Sequence, residues 1–128
     1  MNKAISMKLR TVVIGCIAFA TLGVCAAPGA KQSPKRINIT ASRFAFGPNE
    51  ITLKKGEEVT LVVESSDVTH GLVIEELGVR TEVKKGQAAT VTFTPGTVGT
   101  FEGKCAHFCG SGHGSMTLTV QVVETGTP

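Results

Sequence analysis

The sequence predicts an all-β domain of the sandwich or barrel class, preceded by an N-terminal export segment. Three observations predict it. Short runs rich in Val, Ile, Thr and Phe recur along the chain, and several alternate apolar with polar residues, the period of a half-buried strand. Turn signals separate these runs: Gly47-Pro48-Asn49, Lys54-Lys55-Gly56, Lys84-Lys85-Gly86 and Pro95-Gly96. Beyond residue 26 no stretch carries an amphipathic helical period. Six to eight short strands at this spacing suit two packed sheets or a closed barrel.

In chain order, residues 1–10 carry Lys3, Lys8 and Arg10 and no acid, and residues 11–26 are almost wholly apolar. Val24 and Ala26 occupy the −3 and −1 positions of a cut before Ala27. A basic start, a short apolar run and small residues at the end describe a secretory signal over 1–26. The run is shorter than the ~20 residues that span a bilayer, so cleavage is expected rather than a retained anchor. The expected destination is the bacterial periplasm. Leu22-Gly23-Val24-Cys25 loosely resembles a lipoprotein box. Lipidation at Cys25 would tether the protein to a membrane, but Val24 fits that pattern poorly.

Residues 27–36 are rich in Pro, Gly and Lys and read as a flexible linker. The domain is expected over 37–124. Its strands are expected at 36–40, 51–53, 59–63, 72–74 and 90–93, then one ending near Glu102 and one over 117–123. The last is the clearest, with Leu118, Val120 and Val122 on one face. Lys54-Lys55 and Lys84-Lys85 read as solvated hairpin tips, or as a docking patch for an acidic partner. Phe44, Phe46, Phe93, Phe101 and Phe108 are expected in the core, Phe108 also as a shield for the site described next.

The whole chain has 13 Lys+Arg against 10 Asp+Glu. The signal holds three of the basic residues and no acid, so the exported part carries ten of each. That balance points to neither a nucleic acid nor an anionic membrane as partner. The same cut leaves Cys105 and Cys109 as the only cysteines, Met116 as the only methionine, and His70, His107 and His113. All but His70 fall between positions 105 and 116, in a segment flanked by two expected strands. A loop held at both ends by a sheet is a good seat for a metal. Thiolate and thioether are soft donors and imidazole is intermediate, so the set favours copper over hard cations.

Cys109-x3-His113-x2-Met116 by itself fits a mononuclear blue-copper loop, with His70 as the second imidazole. Cys105 adds a second thiolate, able to bridge a pair of coppers that share an electron. A Cys105–Cys109 disulfide would leave the His-x2-Met tail unexplained. Zinc would suit two Cys and two His but not the Met. Asp67 reads either as a carboxylate that orients His70 or as a strand-end turn cap.

Cys-x3-Cys-x3-His-x2-Met, with the upstream Ser66-Asp67-Val68-Thr69-His70, resembles the binuclear copper A domain of cytochrome c oxidase subunit II. A related site occurs in nitrous oxide reductase. The resemblance covers about residues 37–123 and implies a cupredoxin-like Greek-key β-sandwich or barrel with two copper ions. It implies that Cys105 and Cys109 bridge both ions, that His70 and Met116 complete one, and that His113 with the backbone carbonyl of His107 completes the other. The family usually has Glu at position 107. The His107 side chain is read as free of the metal, with direct binding as the alternative. The family also carries a transmembrane hairpin before the domain and an exposed aromatic as electron entry point, neither of which is read in this chain; the exported part has no Trp or Tyr.

No nucleophile–base pair and no poised carboxylate pair is present, so no catalysis of a small-molecule substrate is expected of the chain alone. The expected function is electron transfer with a protein partner such as a c-type cytochrome or a terminal oxidase or reductase. The alternatives are copper storage or delivery for oxidase or reductase assembly, and a mononuclear blue-copper protein.

Overall fold

A computed structural model describes residue 29 and residues 32–126. The expected signal segment and Cys25 lie outside the described residues. Among these residues the chain forms nine strands and two short 3-10 turns, and no helix is long and apolar enough to cross a membrane.

The strands are β1 Lys35–Ser42, β2 Ala45–Gly47, β3 Glu50–Lys54, β4 Val59–Ser65, β5 His70–Ile74, β6 Val79–Val83, β7 Ala88–Phe93, β8 Gly99–Lys104 and β9 Thr117–Val123. They make two sheets. One has the order β2-β1-β4-β7, the other β3-β9-β8-β5-β6. β1 pairs in parallel with β4 and β3 with β9, while the other neighbours are antiparallel. This is the all-β sandwich that the strand pattern predicts.

Alternation decides which side chains meet between the sheets. In β9 every second residue is buried, which places Leu118, Val120 and Val122 inside. β3 does the same with Ile51 and Leu53. β4 and β5 depart from period two, since β5 is buried throughout and β4 at all positions but Glu64. Both are interior strands of their sheets. Thr60, on β4, is buried and hydrogen-bonds the Thr92 hydroxyl at 2.9 Å, which removes the penalty of an unpaired polar atom. Leu53, Leu61, Leu72, Ile74 and Leu118 anchor the core. Each such side chain stabilises the fold by about 1.5–3 kcal/mol on burial.

Two strands are not apparent in the sequence. β2 has only three residues. β6, Val79-Arg80-Thr81-Glu82-Val83, alternates weakly, because Thr81 stands between its only two buried residues, Val79 and Val83. The Lys-Lys-Gly signals are turns, with Gly56 and Gly86 at φ +78° and +72°, where a side chain would strain the backbone. Neither is a hairpin tip: each carries the chain from one sheet to the other, β3 to β4 and β6 to β7. The phenylalanines also divide. Phe46 is buried, Phe44, Phe93 and Phe101 are half-buried against the core, and Phe108 is 75% exposed and outside it.

β8 lies beside β5 in the same sheet. A Cβ on Gly103 would lie 3.1 Å from both Ile74 Cγ1 and Leu72 Cδ1. Gly103→Ala is therefore expected to destabilise the fold by about 1–3 kcal/mol through overpacking, seen as a lower urea midpoint at unchanged slope.

Candidate metal centre

The site sits where β8 ends and β5 and β9 begin. β8 and β9 pair to the last residue before the loop, Lys104 opposite Thr117. One further backbone bond closes the loop base: the Cys105 N–H donates to the Met116 carbonyl at 3.2 Å. The first and last soft donors of the segment are thus fixed to each other by the ladder. Inside the loop, the His113–Ser115 turn is held by Ser115 N–H to Gly112 and Met116 N–H to His113. Ala106 N–H donates to the Gly71 carbonyl at 3.3 Å, joining the loop to β5. Gly71 permits this approach, because a Cβ there would lie 3.0 Å from the His107 nitrogen.

His70 opens β5 and is fully buried. Asp67 holds it from the preceding turn, with Oδ1 2.7 Å from His70 Nε2. A carboxylate only accepts, so Nε2 carries a proton toward Asp67, and in the neutral ring the lone pair is on Nδ1. That Nδ1 faces Cys105 Sγ at 3.8 Å. Asp67 also caps the turn, accepting from Val68 N–H at 2.7 Å and, through Oδ2, from Arg43 N–H at 2.7 Å. It therefore does both jobs that the sequence left as alternatives. Burial would raise the Asp67 carboxyl, but the hydrogen bonds from Arg43, His70 and Val68 prevail and hold it down at about 2.

The two sulfurs lie 3.9 Å apart and are not bonded. A disulfide would bring them to about 2.05 Å. Cys105 Sγ lies 3.2 Å from the His107 carbonyl oxygen. On the far side, Cys109 Sγ is 3.9 Å from His113 Nδ1 and 3.9 Å from Met116 Sδ. The ligand atoms of His70, Cys105 and Cys109 all lie within 4.8 Å of one another. Donors about 2.0–2.3 Å from a shared tetrahedral ion would be separated by nearly these distances, and the set fits a soft or borderline cation. Cys105, Cys109 and Met116 are buried, while His113 is half-buried at the surface. Burial, and then the Cys105 sulfur beside it, push the Cys109 thiol up. A metal entering the site must therefore displace protons.

Two predicted site residues behave differently from the rest. The His107 side chain turns outward, where its Nδ1 pairs with Glu82 Oε2 of β6 at 3.1 Å; only its carbonyl faces the sulfurs. The Phe108 ring lies at the surface, 5.8 Å from the His113 ring and tilted by 49°, so it flanks an imidazole rather than filling the core. Sequence reasoning missed Arg43 and the role of Phe44. Arg43 Nε donates to the Cys109 carbonyl at 2.8 Å. The Phe44 ring packs on Gly110 and Gly112, where no Cβ would fit. An apolar residue in a strand-rich stretch reads as core, and nothing local in the sequence links Arg43 to a loop 66 positions away.

Residues 15–120 match the family model described as the cupredoxin-like domain. The chain is 34% identical over 96 residues to cytochrome c oxidase subunit 2 of Thermus thermophilus, an alignment covering 73% of this chain and 71% of that one. Against a second subunit 2 sequence from the same species the same identity covers 57% of the relative, so the chain spans little more than half of its length. In fold it is similar to the periplasmic domain of subunit II of cytochrome oxidase from Bradyrhizobium japonicum, with TM-score 0.67, 20% identity, and coverage of 73% and 87%. It is also similar in fold to auracyanin A, a "blue" copper protein of Chloroflexus aurantiacus, with TM-score 0.59, 18% identity, and coverage of 71% and 100%.

The contact between Phe44 and the loop glycines yields a double-mutant test. Gly112→Ala is expected to cost about 1–3 kcal/mol, and markedly less in a Phe44→Ala background, because the ring that the new methyl meets is gone. Thermal or urea unfolding of the four proteins gives the coupling energy directly.

Proposed function

The chain belongs to the cupredoxin-like family and is related to cytochrome c oxidase subunit II, and on that premise we propose that it carries electrons through a binuclear copper centre. The proposed ligands are His70, Cys105, Cys109, His113 and Met116, with the backbone carbonyl of His107. One observation carries the reading: two buried, unbonded thiols 3.9 Å apart, with an imidazole Nδ1 beside each. Bound copper supplies one-electron redox chemistry.

The chain's own residues supply the rest. Burial of Cys105, Cys109, Met116 and His70 keeps water from those four donors, while His113 stands at the surface. The β8–β9 ladder and the Asp67–His70 bond hold those donors in one arrangement. A rigid dry site changes little when its charge changes, which is what fast electron exchange requires. Two thiolates are more than one copper with a His-Cys-His-Met set uses, and this favours the binuclear form over a mononuclear site.

We place residues 1–26 as an export signal and 37–124 as the functional domain, acting in the periplasm. The partner is then a redox protein, a c-type cytochrome or a terminal oxidase or reductase. The relationship to an oxidase subunit supports this reading. The same ligands would also serve copper delivery, and the two functions differ in how firmly the metal is held.

Metal analysis with electron paramagnetic resonance tests the proposal. Two coppers per chain are expected, with hyperfine structure from two equivalent nuclei and no loss of metal to a competing chelator. One copper per chain with a single-nucleus signal would replace the binuclear reading by the mononuclear one. Ready transfer of copper to the chelator would favour delivery. Cys105→Ser is expected to lose the two-nucleus signal, leaving one copper or none; an unchanged spectrum would contradict the bridging role. Met116→Leu is expected to keep copper and raise the reduction potential, since it replaces a sulfur donor by an apolar group. Voltammetry measures that shift.

A further inference from the structure

Arg43 belongs to no strand and supplies no soft donor, yet it touches both halves of the site. It lies in the turn between β1 and β2. Its backbone N–H donates to Asp67 Oδ2 at 2.7 Å, and the other oxygen of that carboxylate holds His70. Its side-chain Nε donates to the Cys109 carbonyl at 2.8 Å. The next residue, Phe44, lays its ring on Gly110 and Gly112 of the same loop. One short turn, from the sheet that holds none of the proposed ligands, thus straps the ligand loop to the strand that carries the distant imidazole.

Two physical consequences follow. A hydrogen bond from a guanidinium is stronger than a neutral one, and here it fixes the peptide that carries a proposed bridging sulfur. The guanidinium also lines an open cavity of about 310 Å³ with Val68, Thr69, Phe108 and Gly110. In that cavity it places a permanent positive charge beside Cys109. A fixed cation repels the more positive, oxidised form of a metal centre more than the reduced form.

We propose that Arg43 is a positioning residue for the metal centre, which locks the Cys109 peptide to the Asp67–His70 pair and raises the reduction potential of bound copper. The second half rests on the copper reading above; the first half does not. Nothing at this position is a ligand, so its substitution is expected to leave the metal count intact.

The test uses Arg43→Met, which removes both charge and bond, and Arg43→Lys, which keeps the charge but not the planar fork. In metal-free reduced protein, alkylation of Cys109 by iodoacetamide is expected to run roughly tenfold faster in Arg43→Met, with the global unfolding midpoint little changed. A wild-type alkylation rate would overturn the locking role. In copper-loaded protein, Arg43→Met is expected to show a lower potential at an unchanged copper ratio, and Arg43→Lys a potential near wild type with altered hyperfine splitting. Equal potentials in all three proteins would overturn the electrostatic role. Should Arg43→Met fail to fold, Arg43→Lys and Arg43→Gln carry the same two measurements. A wild-type protein that takes up no copper would refute the proposed function, while the alkylation rates would still decide whether Arg43 locks the loop.

Discussion

The backbone hydrogen bond from Cys105 to Met116 is the constraint on which the site depends. It is the last rung of the β8–β9 ladder, and everything between those two residues is loop. A twelve-residue segment free at its ends would hold its sulfurs apart at most times, because loop closure costs entropy. Here closure is supplied by a sheet whose strands are needed for the core in any case. Leu118, Val120 and Val122 bury the inner face of β9, and the same strand delivers Met116 to the pocket. Core packing and the candidate metal site are therefore one structural problem, solved by one pair of strands.

The rest of the site is built onto that ladder from its neighbours. His70 reaches the sulfurs from β5, which meets β8 at Val73 and Lys104. Its ring is oriented by Asp67, whose second oxygen is tied to the β1–β2 turn. The turn in turn holds the loop through Arg43 and Phe44. This circuit surrounds two thiols whose own contacts are few: Cys105 reaches the His107 carbonyl at 3.2 Å, and the other sulfur contacts are 3.8–3.9 Å. Polar bonds that bind tightly have been placed around the donors rather than on them, so the donor lone pairs stay available. At the outer edge His113 and Phe108 meet solvent.

Much of this arrangement is legible in the sequence, for physical reasons that differ by element. β9 and β3 can be read because one face of each meets the core and the other meets water, which writes period two into the residues. The donor segment can be read because soft ligands are rare and their spacing is fixed by the loop they share. His70 follows by elimination, as the sole imidazole outside that segment. β6 escapes such a reading because its inner face offers only two apolar residues, Val79 and Val83, four positions apart with Thr81 between them, and β2 because three residues hold no period. Phe108 shows the limit of composition: an aromatic beside a buried Cys looks like core, yet the loop's curvature puts it outside. Arg43 is not legible at all. Its partner is remote in sequence, and an arginine in a turn is ordinarily just a solvated charge. The His107 side chain is expected free of the metal and does turn outward; its partner Glu82, 25 positions away, is what the sequence does not indicate.

The account stands or falls on whether both sulfurs serve a pair of metals. Copper-edge X-ray absorption of the copper-loaded protein measures this most directly, since it counts the near neighbours of each copper. The account predicts a copper atom among those neighbours, together with two sulfurs and about one nitrogen per metal. A spectrum with sulfur and nitrogen but no copper neighbour would show each ion standing alone, and would contradict it.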